Sequence, residues 1–253
     1  MDRKSLTVEH LSKAWVVHPR PNPQARLRLF CFPFAGGGAV AYRTWPTHLP
    51  SDVEVCAIRL PGRETRLREP LFTRLEPLVE TLAAVLRPFL DKPFVFFGHS
   101  LGALISFELA RQLRRQDHPG PSHLFVSSYR APQLPLLHPP VHQAPEAEFI
   151  ARLRGFNGTP EIILQDAELR ELVLPILRAD FAIWETYEFA NETPLNCPIS
   201  AFVGEQDKEV SPQDMAAWRV HTHNTFRMHV FPGDHFFWQS TPRPLLQTVA
   251  ELL

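Results

Sequence analysis

Short apolar runs alternate along this chain with longer stretches in which apolar residues recur at helical spacing. The apolar runs predict strands at 27–32, 53–59, 93–97, 123–128, 198–204 and 226–231. Helical periodicity marks 41–48, 75–90, 146–153, 168–184 and 245–253. Strands that alternate with helices predict an α/β protein with a mostly parallel sheet and helices on both faces.

Residues 131–192 interrupt this alternation. They contain helical patterns but no convincing strand, and they are rich in leucine, proline and phenylalanine. We interpret them as a helical lid inserted over the carboxyl end of the sheet, where it would shape an apolar pocket and exclude water. The alternative is that these helices only extend the core.

A serine between two glycines follows the strand at 93–97 directly. The segment Gly98-His99-Ser100-Leu101-Gly102 leads from that strand into an apolar helical stretch. Such a sharp strand–turn–helix needs small neighbours, and it exposes the hydroxyl beside the free N–H groups of a helix start. The pattern predicts Ser100 as a nucleophile, although an ordinary serine in a glycine-flanked turn is the alternative.

A nucleophilic serine needs a base and a carboxylate that orients it. Asp207 follows the strand at 198–204, and His235 follows the strand at 226–231. Both therefore lie on loops after strands, where an open parallel sheet places functional groups. The chain order serine, acid, histidine is the one found in α/β-hydrolases. We predict a Ser100–His235–Asp207 triad.

Other residues compete for these roles. Glu205 and Glu209 flank Asp207 and could replace it. Asp234 adjoins His235, but adjacent side chains on an extended loop point apart. Asp180 lies in a helical pattern far from any strand end, and His99 is too close to Ser100 in the chain to act easily as its base.

An oxyanion hole requires two backbone N–H groups near the serine. Leu101 begins the helix after Ser100, and Ala35 lies in the loop that follows the strand at 27–32 and carries three consecutive glycines, residues 36–38. We predict the N–H groups of Leu101 and Ala35 as donors, with Phe34 as the alternative to Ala35. Because this loop lacks the spacing of known phosphate-binding loops, nucleotide binding is not expected.

Composition limits the remaining possibilities. The 253 residues are 44% hydrophobic and 21% charged, which suits one globular domain over 1–253. A formal net charge of −1 gives no electrostatic case for nucleic acid, and no apolar stretch is long enough to predict a membrane span. The N-terminus lacks a signal-peptide core, and three scattered cysteines indicate reduced thiols, so we expect a cytoplasmic protein.

No metal site is predicted. His221 and His223 form a His-x-His pair, but no third ligand at a persuasive spacing accompanies them, so we interpret the pair as part of a solvated loop.

Several motifs give the chain a resemblance to type II thioesterases, the stand-alone editing enzymes of nonribosomal peptide and polyketide synthesis within the α/β-hydrolases. The matching segments span nearly the whole chain: Phe32–Gly38 with Trp45, Leu60–Arg66, Gly98–Ala103, Arg130–Pro132, Asn157–Pro160, Leu174–Phe181, Glu185–Tyr187 and Gly233–Phe237. The family's catalytic residues fall on Ser100, Asp207 and His235. Tyr129 is a departure, since such proteins often carry a small residue or arginine there.

The resemblance implies hydrolysis of acyl or aminoacyl thioesters from the phosphopantetheine arm of carrier proteins, which removes mis-primed or stalled units. Acyl or peptidyl carrier domains are then the expected partners, no cofactor is needed by the enzyme itself, and we expect a monomer. The alternatives are a medium-chain acyl-carrier-protein thioesterase of fatty-acid synthesis, a general carboxylester hydrolase, or a non-catalytic carrier-binding protein.

Carrier domains usually present an acidic helix, so a basic rim is expected near the site. The loop 59–68 carries four arginines. We predict Arg66 and Arg68 as docking residues. Arg63 could instead hold the loop by pairing internally, for example with Glu64.

Overall fold

One seven-stranded sheet forms the centre of the molecule. The structure is a computed structural model that describes residues 14–253. The strands are β1 (Val16–Val17), β2 (Leu27–Phe32), β3 (Val53–Ile58), β4 (Phe94–His99), β5 (Leu124–Ser127), β6 (Ile199–Gly204) and β7 (Phe226–Phe231). Their order across the sheet is β1-β3-β2-β4-β5-β6-β7.

Strands β2 to β7 run parallel, as the sequence predicts, and β1 pairs antiparallel with β3. Strand β1 has only two residues, so no sequence pattern predicts it. The chain places β3 on one side of β2 and β4 on the other. This reversal of strand order opens a crevice at the carboxyl ends of β2 and β4, where α/β proteins bind their ligands.

Helices and 3₁₀ segments connect the strands. The α-helices are α1 (Leu75–Leu86), α2 (Leu101–Arg115), α3 (Glu146–Phe156), α4 (Glu161–Gln165), α5 (Ala167–Glu185), α6 (Pro212–Ala216) and α7 (Arg243–Glu251). The predicted helix at 41–48 is two 3₁₀ turns, Ala39–Tyr42 and Trp45–Thr47. The sequence did not predict α4 and α6, which have five residues each and therefore show little periodicity.

Each face of the sheet carries its own core because successive side chains of a strand point to opposite faces. In β4, Phe94 and Phe96 pack with α1 and α2, whereas Val95 and Phe97 pack with the 3₁₀ turns and α7. The central strands are buried on both sides, which explains why they appear in the sequence as continuous apolar runs.

The predicted lid segment contains α3, α4 and α5. These helices form a third cluster of buried residues, which includes Phe149, Leu153, Leu177 and Phe181. The cluster is separate from the cores on the sheet faces.

Within residues 14–253, no helix combines the length and apolar character that crossing a membrane requires.

Candidate active site

Ser100 occupies the sharp turn between β4 and α2. Its backbone has φ 52° and ψ −122°, a positive φ that a residue with a side chain rarely adopts. Such a conformation costs of the order of 1–3 kcal/mol and persists only where the surroundings enforce it. The Ser100 N–H donates to the Ser127 carbonyl at 2.7 Å, which ties the turn to β5.

The glycines on each side of Ser100 are needed for close backbone contact. A Cβ on Gly98 would lie 2.1 Å from the Gly102 carbonyl oxygen, and a Cβ on Gly102 would lie 2.1 Å from the Phe32 carbonyl oxygen. Neither contact can be relieved by turning a side chain. The Gly-x-Ser-x-Gly pattern therefore allows α2 to start directly against β2 and β4.

His235 and Asp207 meet across neighbouring loops. His235 Nδ1 lies 2.9 Å from Asp207 Oδ2. The other oxygen of Asp207, Oδ1, accepts the N–H groups of Glu209 at 2.9 Å and Val210 at 3.1 Å. Both side chains are buried. The backbone donors fix the carboxylate, and the carboxylate in turn holds the Nδ1–H tautomer of the imidazole.

The free nitrogen of His235 lies in the same region as Ser100. Its Nε2 is buried and makes no hydrogen bond to Ser100 or to any other residue among 14–253. His235 and Ser100 line one cavity of about 300 Å³. Hydrogen bonds of this kind often form only when substrate is present.

The competing carboxylates are occupied elsewhere. Both oxygens of Glu209 accept from the Arg152 guanidinium, at 2.7 and 2.5 Å, and Glu205 is exposed. Asp234 accepts the Phe236 N–H at 2.9 Å instead of orienting the adjacent His235. Among these carboxylates, the described structure brings only Asp207 to the histidine.

The predicted oxyanion donors both lie at the cavity. Ala35 and Leu101 both line it, as does the alternative donor Phe34. Among the described residues, no acceptor is found for the N–H of Ala35 or of Leu101. Two N–H groups without an acceptor in residues 14–253, at the cavity that Ser100 also lines, suit an oxygen that becomes negatively charged during acyl transfer.

Comparison with known proteins identifies the family. Residues 27–252 match the thioesterase domain family. The gramicidin S biosynthesis protein GrsT of Aneurinibacillus migulanus is 46% identical over 239 residues, which cover 94% of this chain and 93% of GrsT. The human medium-chain S-acyl fatty acid synthase thioesterase is 36% identical over 85% of this chain and 82% of its own.

Two solved structures share the fold. The type II thioesterase BorB from the borrelidin biosynthetic cluster superposes with a TM-score of 0.85 at 34% identity, covering 94% of this chain and 97% of BorB. YbtT, the type II thioesterase from the yersiniabactin NRPS/PKS pathway, has a TM-score of 0.84 at 30% identity, covering 94% and 97%. The chain belongs to the thioesterase domain family. The predicted resemblance to type II thioesterases, the α/β-hydrolase fold and the thioester hydrolase class are thereby confirmed.

A buried ion pair holds residues 33–38 of this thioesterase. We name this segment the oxyanion loop because it carries the predicted donor Ala35. Arg63 donates to both oxygens of Asp180 in α5, at 2.9 and 2.8 Å, and also to the Gly37 carbonyl at 2.9 Å. Asp180 Oδ2 accepts the Gly36 N–H at 2.7 Å. The pair therefore contacts both Gly36 and Gly37, directly after the candidate donor Ala35.

Sequence reasoning did not assign Asp180 a part in the site. The sequence suggests internal pairing for Arg63, and the structure shows that its partner is Asp180, 117 residues away, and not Glu64. Glu64 instead accepts the Val40 N–H at 2.9 Å. The signal that could have pointed to Asp180 is a charged residue inside an otherwise apolar helical stretch, because buried charges require partners.

The prediction of Arg66 as a docking residue is wrong. Its side chain is only 5% exposed, and its guanidinium contacts Glu69, the Arg59 carbonyl and the face of Trp15. The charge of Arg66 therefore stabilises its own loop. Arg68 is exposed.

His99 is buried between aromatic rings close to His235. Its Nδ1 accepts from Trp238 Nε1 at 3.2 Å and lies 2.9 Å from Ser127 Oγ. Burial, reinforced by the neighbouring His235, holds the pKa of His99 well below its usual value. His99 thus stays neutral and packs against the loop that carries His235.

Two groups of side chains of the kind that bind metals have structural roles. His221 is buried, not solvated as predicted, and its Nε2 lies 2.5 Å from Gln133 Oε1; burial lowers its pKa to about 4. His18, Glu54 and Cys56 lie close together at the β1–β3 edge. There Glu54 is already paired with Arg28 at 3.1 Å, and burial raises the pKa of the Cys56 thiol.

The cavity of the thioesterase runs between the carboxyl end of the sheet and the lid segment. Its lining is mainly apolar and aromatic, and α3 and α5 contribute Leu153, Phe156, Leu177, Phe181 and Trp184. The exposed Leu136 and Leu137 also line it, which places its mouth beside the 131–138 loop. Tyr129, the departure from the family pattern, forms part of the wall.

Polar contacts join the lid segment to the three loops that carry Ala35, Asp207 and His235. Asp180 contacts the oxyanion loop, as described. Arg152 in α3 pairs with Glu209, two residues after Asp207. Asn157, at the end of α3, donates to Asp234 at 3.1 Å, next to His235.

We predict that Asp180→Asn reduces kcat by roughly 10- to 100-fold, because the Gly36–Gly37 turn and the adjacent Ala35 N–H lose their fixed position. Removing one partner also leaves the buried Arg63 charge uncompensated, so unfolding free energy should fall by about 3–5 kcal/mol. Steady-state kinetics on a small acyl thioester and urea unfolding measure the two effects.

The matched control is Glu161→Gln, which removes one carboxylate from the exposed Arg154–Glu161 pair in the same segment. Glu161→Gln should leave kcat and the unfolding free energy nearly unchanged, because exposed ion pairs contribute little to stability. Equal kinetic behaviour of the two variants would contradict a positioning role for Asp180.

Proposed function

We propose that this thioesterase removes acyl or aminoacyl groups from the phosphopantetheine arms of carrier proteins in nonribosomal peptide or polyketide synthesis. The observation that carries the proposal is the His235–Asp207 pair, whose free Nε2 borders the same cavity as the strained Ser100. In this proposal Ser100 is the nucleophile, His235 the general base and Asp207 the residue that orients it.

The chemistry begins at the thioester carbonyl carbon. Ser100 Oγ attacks it while its proton passes to His235 Nε2, and the resulting oxyanion accepts from the N–H groups of Leu101 and Ala35. The C–S bond then breaks, and the leaving thiolate takes the proton from His235. Asp207 stabilises the imidazolium throughout without becoming protonated.

Water completes the cycle. It donates a proton to His235 Nε2 and attacks the acyl-Ser100 carbonyl, and collapse of the second intermediate releases a carboxylic acid and restores the Ser100 hydroxyl. The carrier protein therefore leaves with a free phosphopantetheine thiol. No cofactor of the enzyme enters any step.

The arrangement of the cavity supports a substrate delivered on a long, thin arm. The mouth at Leu136 and Leu137 leads to Ser100, and aromatic side chains line the space around the hydroxyl. A cytoplasmic location and a monomeric state belong to the same proposal, as does docking of the carrier through Arg68.

A medium-chain fatty acyl thioesterase is the second candidate. The human relative carries that name, and the apolar lining suits an alkyl chain. Comparison of kcat/KM for aminoacyl, short acyl and medium-chain acyl groups on the same carrier distinguishes the two functions. A preference for medium-chain groups over all the others would favour the second candidate.

We predict that Ser100→Ala abolishes fluorophosphonate labelling and lowers kcat by about 10⁴-fold or more. His235→Ala should be almost as damaging, and Asp207→Asn should cost about 10⁴-fold because an amide favours the wrong imidazole tautomer. The losses should not add in double variants, because the three residues act as one unit.

Glu205→Gln is the control for Asp207→Asn. Glu205 lies two residues before Asp207 and is exposed, and it does not contact the His235 ring nitrogens. It should retain most of the activity. If Asp207→Asn also retained most activity, the orienting role of Asp207 would be rejected.

We predict that the lid segment opens to admit the phosphopantetheine arm. Amide hydrogen exchange should be faster in α3 and α4 than in β4, because these helices rest on a small separate core and on partly exposed polar contacts. Uniformly slow exchange in both regions would mean a fixed pocket with no gating.

We predict that carrier docking depends on Arg68. Rim charges act mainly on association and are screened by salt, so kcat/KM for an acyl-carrier substrate should fall with ionic strength while that for a small thioester stays constant. Arg68→Glu should reproduce this difference at low salt.

Arg87→Glu is the matched charge reversal. Arg87 is exposed and directly follows α1. It lies at the end of the sheet where β4 begins, and the cavity lies at the opposite end. Arg87→Glu should change kcat/KM only slightly, and equally for the carrier-bound and the small substrate. The same salt dependence for carrier-bound and small substrates would count against docking guided by arginine.

A further inference from the structure

One side chain borders both the cavity that Ser100 and His235 line, which we name the acyl cavity, and a second cavity. The second cavity, about 210 Å³, lies between α1, α2 and the chain that follows α5. Among the described residues, Tyr187 alone lines both cavities. This residue stands two positions beyond the end of α5, where the chain leaves the lid helices.

The two cavities differ in chemistry. The acyl cavity is mainly apolar near Tyr187, where Tyr129, Trp184 and Phe189 also line it. The second cavity is bordered by carboxylates from two helices and the following chain, with one arginine: Glu76, Glu80, Glu108, Glu188 and Arg115. Tyr187 therefore divides an apolar space from an acidic one.

The tyrosine suits this boundary because it has an apolar ring and a polar tip. Its hydroxyl donates to Glu108 Oε1 at 2.7 Å. Burial and the Glu108 charge raise the pKa of Tyr187, so the hydroxyl keeps the proton it donates. A smaller residue would leave both the gap and the Glu108 oxygen open to the acyl cavity.

The partners of Tyr187 are themselves held firmly. Glu108 also accepts from Arg111 at 2.6 Å, and Arg111 donates to the Ala190 carbonyl at 2.5 Å and pairs with Glu192 at 2.9 Å. The segment after Tyr187 is thus fastened to α2. These contacts restrain movement of the Tyr187 ring.

The position of the wall gives the cavity a finite depth. Glu108 lies seven residues beyond Leu101 in α2, which places it roughly 10 Å from the Ser100 turn along the helix axis. An acyl group attached to Ser100 that extends toward Phe189 meets the Tyr187 ring before it reaches Glu108.

We propose that Tyr187 is the residue that limits the length of the acyl group, by closing the apolar cavity against the acidic one. This inference rests on the proposed function, since it concerns the acyl group that Ser100 would accept. It adds a specificity-determining residue that takes no part in the chemistry.

The test is a series of acyl thioesters of increasing length, with methyl and with ammonium ends, assayed on the wild type and Tyr187→Ala. The variant should accept chains beyond the wild-type limit, and each newly accommodated methylene should raise kcat/KM by roughly 10-fold. Ammonium-ended chains should gain most because the second cavity is acidic. An unchanged length limit in both series would overturn the proposal.

Two further variants separate the wall from other effects. Tyr187→Phe keeps the ring and loses only the hydroxyl, so it should keep the wild-type length limit. Gln112 lines the second cavity from α2. Filling that space in the double variant Tyr187→Ala/Gln112→Trp should restore the limit; continued acceptance of long chains would contradict a route through the second cavity. Circular dichroism and thermal melting confirm that each variant is folded.

A binding measurement distinguishes this proposal from the proposed function. Calorimetry in the Ser100→Ala background measures the affinity of carboxylates of increasing length, with and without Tyr187→Ala. If the wild type hydrolysed no acyl thioester, the proposed function would fail, while a longer optimum in the binding series would still support the wall. Hydrolysis by the wild type combined with the same binding optimum in both backgrounds would reject the wall alone.

Discussion

The buried pair of Arg63 and Asp180 is the interaction on which the arrangement of the site depends. It joins three separate parts of the chain: the loop after β3, the oxyanion loop after β2 and helix α5. The five hydrogen bonds that the side chains of Asp180 and Arg63 make satisfy charges that would otherwise be costly to bury. A glycine-rich loop has many available conformations, and this pair restricts them by holding Gly36 and Gly37 directly after Ala35.

The same logic extends to the other loops of the site. Arg152 holds the acid loop through Glu209, and Asn157 holds the histidine loop through Asp234. The helices of the predicted lid segment therefore do more than line the cavity, because each contact with a loop links the position of this segment to that of a candidate catalytic group. Opening of the lid to admit a substrate arm would loosen these contacts, and closing would restore them around the bound acyl group.

Charge is distributed so that the acyl cavity remains apolar next to several ionic groups. The arginines of the loop 59–68 mostly turn inward, and Arg66 stacks on Trp15. At the far end of the cavity, Tyr187 covers Glu108 and the ion pairs of α2. A space of low polarity around Ser100 would strengthen the electrostatic effect of the predicted oxyanion donors.

The sequence by itself determined strands β2 to β7, the sharp turn at Ser100 and the chain order of the predicted triad residues. These features rest on local physics: strands buried on both faces require continuous apolar runs, the Ser100 turn requires Gly98 and Gly102, and functional loops follow strands. Only the tertiary structure decided which charges are free and which are paired. Arg66 and Arg68 lie in one basic loop, yet one is buried and the other exposed. Asp180 meets Arg63 across 117 residues. No local pattern encodes such contacts, because they depend on how distant elements pack.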